Sequence, residues 1–250
     1  MDLKEQDALG GDAAQHWYYR AKAPALDRVV GPTPGPVLDI GAGAGFFARH
    51  LLQRGSPSAV CVDPGYDSDR DEVVNGRPLS FRRAPYAGPV SLILMMDVLE
   101  HVDDDVGLAR SVIAAAAAAG TRVVVTVPAF QWMWSGHDVF LEHRRRYTLS
   151  GVQRVLAAAG LHTEGGRYLY GSVLPLAVAT RVLARLVRQA LGRPIPPASQ
   201  MRPASPKANT ILSATCVAEA MLPGNPVARL TAMTWAKCPD RPRAVGTKRP

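Results

Sequence analysis

Cysteine is scarce and scattered in this chain: 250 residues hold only Cys61, Cys216 and Cys238. There is no Cys-x-x-Cys pair and no histidine spacing that would complete a zinc set, so the pattern points to a reduced, cytoplasmic setting. Uninterrupted apolar runs are short, none approaching the roughly 18 residues of a membrane span. Met1 to Gly11 is polar and acidic, unlike a secretory leader. Internal repeats are absent, and nothing in the sequence signals an oligomeric state. Hydrophobic residues make up 47% and charged residues 20%, enough apolar material for one ordinary globular core.

An even spread of positive charge is also missing. The formal net charge is +8, yet residues 1–192 hold 20 basic and 19 acidic residues. The last 58 hold nine basic against two acidic, so +7 resides there. The basic excess belongs to a C-terminal segment, with no basic groove and no aromatic-basic interleaving on the main body, and nucleic acid is not an expected partner.

What the chain does carry is an alternation of strand and helix signals. Pro36 to Ile40 is a short apolar run ending in the glycines Gly41, Gly43 and Gly45, and Phe46 to Leu52 follows with helical spacing. Ala59 to Val62 stops at Asp63-Pro64-Gly65, Leu79 to Arg83 is a weaker strand, and Ser91 to Met96 is a strongly apolar one ending at Asp97. The alanine-rich stretch Asp105 to Ala119, closed by Gly120, predicts a helix that feeds a β-branched strand over Thr121 to Val127. Beyond an aromatic and charged loop (129–148) the pattern predicts a helix over 149–159, a strand over 162–170, helices over 171–192 and 210–221, and a last strand over 228–238. Such alternation implies βαβ units and a parallel sheet covered on both faces.

A glycine turn between strand and helix lets ligand atoms approach the backbone, and the helix N-terminus favours negative groups. A dinucleotide turn of the Gly-x-Gly-x-x-Gly type would require glycine at position 46, which is Phe46. The spacing Gly41-x-Gly43-x-Gly45, with Asp39 before it and Ala42 within it, is instead that of S-adenosylmethionine (SAM) turns. Asp63 lies 22 residues beyond Gly41 at a strand end, where a carboxylate can accept from both ribose hydroxyls.

With these segments in this order the chain resembles the class I SAM-dependent methyltransferases. Val37 to Gly45 is similar to their first motif, and Val62-Asp63 to the ribose-binding strand end. Asp97-Val98-Leu99-Glu100-His101 resembles the segment that closes the cofactor pocket, and Thr126-Val127-Pro128 the end of the following strand. His16-Trp17-Tyr18-Tyr19-Arg20 resembles an aromatic N-terminal element of one bacterial small-molecule branch. The loop segments Trp132 to Asp138 and Glu142 to Thr148 are similar to that branch as well. The resemblance implies an α/β, Rossmann-like, doubly wound sheet of seven mainly parallel strands. It implies a single domain over 1–238 with an N-terminal lid helix within 12–32 and a helical insertion over 171–227 that covers the acceptor; the basic, Pro-containing composition of 239–250 predicts a disordered tail. The resemblance further implies that Trp17, Tyr19, Arg20, Asp39, Gly41, Ala42, Gly43, Gly45, Asp63, Pro64, Asp97 and Val98 hold SAM. The segment Phe81 to Tyr86 departs from the family in lacking an acidic residue for the adenine amino group, leaving backbone groups or Tyr86 for that part.

Methyl transfer from a sulfonium is an in-line displacement, so positioning in a dry pocket can supply most of the catalysis. An aromatic ring of Trp17, Tyr18 or Tyr19 can face the sulfonium. A hydroxyl or ammonium acceptor needs a group to take its proton, and His101, His137 and His143 are the candidates, with His50 and His162 read as structural. Glu100-His101 and Glu142-His143 invite a metal reading. Adjacent residues on a strand or helix point apart, however, so each pair is a poor chelate and no metal is expected. Asp103, Asp104 and Asp105 read as a helix start. Arg144, Arg145 and Arg146 either grip an acidic acceptor or pair with Glu142 and Asp138. Arg181, Arg185 and Arg188 form one basic edge on the helix after residue 171, which packs on the domain, binds a partner helix or touches an anionic membrane through 173–191. The expectation is an enzyme of small-molecule biosynthesis that methylates a small-molecule or lipid-like acceptor. The alternatives are transfer or cyclisation of the aminobutyrate part of SAM, and a non-catalytic scaffold. Asp63→Ala should weaken SAM binding at least tenfold by calorimetry, about 1.4 kcal/mol, as expected when hydrogen bonds to a charged acceptor are lost; unchanged affinity would refute the ribose assignment.

Overall fold

A computed structural model describes residues 15–32, 35–192, 196–199, 205–222 and 229–239. The outermost part of the expected lid, part of the insertion and nearly all of the expected tail lie outside the described residues. The chain runs α1 (Trp17–Val30), β1 (Val37–Ile40), α2 (Phe46–Gln53), β2 (Ala59–Val62), β3 (Arg70–Val74), β4 (Arg77–Arg82) and β5 (Val90–Met96). It continues with α3 (Asp105–Ala116), β6 (Ala117–Pro128), α4 (Gly136–Phe140), α5 (Leu149–Ala158), β7 (His162–Leu169), α6 (Leu174–Ala190), α7 (Pro206–Met221) and β8 (Thr231–Lys237). None of the described helices is long and apolar enough to cross a membrane.

The strands form one sheet in the order β3-β4-β2-β1-β5-β6-β8-β7. The pairs β1 with β2, β1 with β5, β2 with β4 and β5 with β6 are parallel. The outer pairs β3 with β4, β6 with β8 and β7 with β8 are antiparallel. Central strands read as continuous apolar runs because both faces are covered. In β5, Leu92, Leu94 and Met96 face the core beneath α1, α2 and α7, where they meet Leu26, Phe47 and Cys216. Ile93 and Met95 face the opposite core with Ala109, Val152 and Leu156 of α3 and α5. The order in which the chain adds strands to the sheet reverses between the parallel neighbours β1 and β5, and the crevice at their carboxyl ends is the place where open α/β sheets bind ligands.

Two elements differ from the sequence expectation. The sheet has eight strands rather than seven, because β3 and β4 form a hairpin across Asn75 and Gly76, whose φ angles of 49° and 73° suit a tight primed turn. The hairpin strand Arg-Asp-Glu-Val-Val is an edge with little burial, so no apolar alternation reveals it. The second difference is the predicted helix to Ala119, which ends at Ala116; Ala117 to Gly120 already belong to β6. Pairing of Ala117 with Val90 overrides alanine's helix preference there. Thr121 secures the change, its hydroxyl donating to Val90 O (2.6 Å) and accepting from Ala118 N (2.9 Å). Thr121→Val should therefore cost about 1–3 kcal/mol in urea unfolding, since the buried Val90 carbonyl and the part-buried Ala118 amide lose their partner; an unchanged midpoint would show that β6 starts without it.

Candidate functional site

The glycine turn leaves β1 and enters α2 with Gly41, Gly43 and Gly45 at φ 62°, 51° and 72°. Gly41 is held at close range as well: a Cβ there would lie 2.7 Å from Cγ2 of Val98, so any side chain would push the turn off the end of β5. Asp63 stands over the turn, accepting from Gly43 N (3.1 Å) and Gly65 N (2.9 Å), while the Tyr66 hydroxyl donates to Gly43 O (2.6 Å). Ala42 is buried within the turn and Pro64 is exposed beside it. Asp39 lies behind the turn, 1% exposed, with its Oδ2 buried and without a hydrogen-bond partner. Burial pushes its pKa up to about 7, the charge of Asp63 adds to the rise, and the Ala48 amide at the start of α2 opposes it.

The most constrained group of the site is a residue that motif reading passed over. Lys22 on α1 is fully buried and ion-paired with Asp97 at the end of β5. Its ammonium also donates to the Tyr18 hydroxyl (2.8 Å) and to Thr126 Oγ1 (3.3 Å), and Thr126 donates to the other Asp97 oxygen (2.9 Å). Burial alone would raise the Asp97 pKa, but the charge and hydrogen bond of Lys22 reverse that and hold the carboxyl below its ordinary range. Asp97 adopts φ 59°, an unusual backbone for a non-glycine residue that this network secures. The signal was there in the helical period: Lys22 follows Tyr18 by four residues and precedes Leu26 by four, on the stripe α1 buries.

Beside Asp97 opens a cavity of about 680 Å³. Trp17 and Tyr18 of α1 form one wall, with Tyr18 stacked on Tyr170 (5.0 Å between centroids) and Trp17 edge-on to it (5.7 Å). The Trp17 amide donates to Oδ1 of Asn209 on α7 (2.8 Å), which fixes the start of the lid helix. The predicted residues Asp97, His101, His137 and His143 all line this cavity. The glycine turn with Asp39, Asp63, Pro64 and Val98 lies outside the cavity lining; of the predicted α1 residues Tyr19 is enclosed in the core against Phe46, and Arg20 is exposed. Successive side chains on a helix are turned about 100° from one another, so neighbours of Trp17 and Tyr18 in sequence point elsewhere.

His101 ends a single 3-10 turn, Leu99–His101, and its ring meets that of His143 edge-on at 4.7 Å. Asp138 on α4 lies 3.0 Å from His143 Nδ1, accepts from Arg146 Nε (2.6 Å) and Nη2 (3.1 Å), and accepts from Ser135 N (2.8 Å). Burial opposes its charge, yet His143 and Arg146 outweigh burial and hold its carboxyl far below the usual range. Of the arginine run, Arg144 pairs with Asp103 (3.6 Å), Arg145 with Asp105 (3.4 Å) and Arg146 with Asp138, so the pairing alternative describes all three, with a different set of acids for the first two. His50 binds Asp27 (2.8 Å), and Asp104 caps α3 by accepting from Gly107 N (2.8 Å).

Helix α6 forms the far wall and packs on the domain only in part. None of its described side chains is fully buried, and Leu176, Leu183 and Leu186 are more than half exposed. The basic edge turns inward: Arg181 and Arg188 line the cavity, and Arg181 donates to Met133 O (3.0 Å). Burial and the nearby Arg146 bring the Arg181 pKa down to about 10.

Residues 14–164 match a family model described as a methyltransferase domain. No functionally curated protein matches the chain. Among solved structures it is similar to a chain of the complex between the Haloferax volcanii Trm112 methyltransferase activator and its methyltransferase, with 16% identity, 94% of each chain covered and TM-score 0.56. It is also similar to an S-adenosylmethionine-dependent methyltransferase of Mesorhizobium loti, with 15% identity, 87% of this chain and 97% of that one covered and TM-score 0.51. A third is the [4+2]-cyclase SpnF, with 14% identity, 88% and 80% covered and TM-score 0.53. At these identities the likeness is one of fold.

Asp39 gives the site a pH signature. Its folded pKa of about 7 lies above its ordinary 3.8, so between those values the folded chain retains a proton that the unfolded chain has lost. The stability it contributes is full below about pH 4 and is lost as the pH rises towards 7, by an amount on the order of a few kcal/mol. Asp39→Asn should flatten that decline in urea unfolding measured from pH 4 to pH 8; a slope equal to the parent's would place the raised pKa elsewhere.

Proposed function

The chain belongs to the methyltransferase-domain family and is a SAM-dependent methyltransferase; on that premise we propose that it methylates a small molecule with an apolar, lipid-like body, held in the cavity beside Asp97. The observation that carries this reading is one cavity shared by Asp97 and Trp17 on the side of the glycine turn and by three histidines on the other.

The residues fit the cofactor. The Gly41 backbone is kept clear at a point where a Cβ would collide, Asp63 offers carboxylate oxygens over the turn, and the buried Oδ2 of Asp39 lacks a partner. Gly41, Gly43 and Asp39 serve the methionyl part, Asp63 the ribose, and Trp17 or Tyr18 the sulfonium face. When bound, SAM supplies a methyl group activated by the positive sulfur. The protein's part is to align the acceptor's nucleophile, exclude water and take up a proton. His101, His137 and His143 are the groups that can take it, since imidazole is poised near neutral pH. Arg181 and Arg188 favour an acceptor that carries an acidic group. The exposed apolar residues of α6 support contact of residues 173–191 with a membrane surface when such an acceptor is presented there. A cytoplasmic setting and a role in small-molecule biosynthesis complete the reading.

Incubation with SAM and a host metabolite extract, followed by mass spectrometry of the nucleoside, tests it. S-adenosylhomocysteine is the expected product, and methylthioadenosine would mean that the aminobutyrate part is transferred instead. His101→Ala should lower turnover tenfold or more while SAM affinity stays within about twofold; an equal fall in both would make His101 structural.

A further inference from the structure

We propose that Glu100, His101 and His143 bind one divalent transition-metal ion on the wall of the cavity, and that an acceptor hydroxyl completes its coordination. This deepens the methyltransferase reading and rests on it for the identity of the second ligand. Each of the three side chains offers one ligand atom, and these atoms lie within 4.8 Å of one another. Around an ion with metal–ligand bonds of about 2.0–2.2 Å the separation is about 3–3.5 Å, a gap that side-chain rotation closes. It is the only such group among the described residues.

Adjacent glutamate and histidine point apart on a regular element, but Glu100 and His101 share only a single 3-10 turn, Leu99–His101, with His101 its last residue. Their ligand atoms lie within 4.8 Å of each other and of the third ligand. The third ligand arrives from a loop 42 positions later. That loop is tied to the turn by Arg144 N, which donates to Glu100 O (2.6 Å). The set is therefore assembled by the fold and not by either Glu-His pair alone.

A second, independent observation concerns His143. Asp138, itself fully buried and held by Arg146 and Ser135, lies 3.0 Å from Nδ1 of His143. With Nδ1 as the donor, the lone pair of Nε2 is left to bind a cation, and the ring is fixed in orientation. A carboxylate behind a histidine is the arrangement that supports metal-bound imidazoles in general. Two imidazoles and one buried carboxylate suit zinc, cobalt, manganese or iron better than magnesium or calcium, and three protein ligands leave positions open.

The ion would act as a Lewis acid on the acceptor. With His101 and His143 engaged as ligands, His137, which lines the same cavity, is the histidine left to take the proton of an acceptor hydroxyl bound at an open position. The hydroxyl oxygen then forms the bond to the methyl carbon as the carbon–sulfur bond breaks, and that electron pair stays on sulfur. Glu100, His101 and His143 are the ligands, and Asp138 is a positioning residue acting through His143.

The test uses tag-free, full-length protein stripped with a chelator and titrated with Co²⁺ in the absence of SAM, read by visible absorption, with Zn²⁺ as competitor. One Co²⁺ per chain, with the spectrum of an imidazole-ligated ion, is expected. His143→Gln and Glu100→Gln should weaken binding at least tenfold, and Asp138→Asn about tenfold. SAM affinity, measured separately by calorimetry, should stay within about twofold in all three. A parent protein that binds SAM but not Co²⁺, or Co²⁺ binding undiminished in the variants, overturns the metal site. Co²⁺ binding without SAM binding would leave the metal site standing and overturn the methyltransferase reading.

Discussion

A lysine ammonium taken wholly out of water must be compensated where it lies, and that demand fixes the geometry around the cavity. Lys22 sits on α1, its counter-charge Asp97 on the end of β5, and Thr126 near the end of β6. Removing either charge would strand the other, so three elements remote in sequence are held in one relation. The same contact sets the rotation of α1: Lys22 turned inward puts Trp17 and Tyr18 on the cavity and Tyr19 and Leu26 in the core. Asp97 keeps its uncommon backbone because both of its carboxylate oxygens are engaged. The Val98 that follows is then pressed on Gly41, so the network reaches the glycine turn as well.

The parts of the fold legible in the sequence are those where local pattern and tertiary demand agree. β1, β2 and β5 are apolar runs because both faces are covered, and the glycines after β1 announce the turn. Where the two disagree, the sequence misleads: Ala117 to Ala119 are good helix formers pulled into β6 by a neighbouring strand, and β3 is a charged edge with no apolar face to show. At the site, loop residues could be named from motifs, but which of them meet could not. Three histidines spread over 43 positions converge on one cavity, whereas Tyr19 and Arg20, adjacent to residues that do reach it, turn away. Lys22 escaped because a single lysine among alanines reads as surface until its helical phase is counted.

The two ends of the cavity obey different physics. On the glycine-turn side the protein offers backbone and carboxylates in a fixed frame built on parallel strands; the family match over 14–164 takes in this side and the loop after β6 and leaves out α6. On the far side the walls come from the loop after β6 and from α6, held by ion pairs such as Arg146 with Asp138 rather than by sheet pairing. Loops carried on a rigid sheet are where specificity resides in such folds, and fold likeness at 16% identity is silent about it.

The insertion between β7 and β8 leaves the sheet just after Leu169 and returns at Thr231, and those two residues are register partners. A segment whose ends are already neighbours costs the sheet little to lengthen, shorten or exchange, because loop-closure entropy grows only slowly with length. The far wall of the cavity is in that sense a cartridge. Provided that Asn209 or an equivalent still grips the start of α1, new versions of α6 could be selected, or grafted, without disturbing the strands that carry the glycine turn.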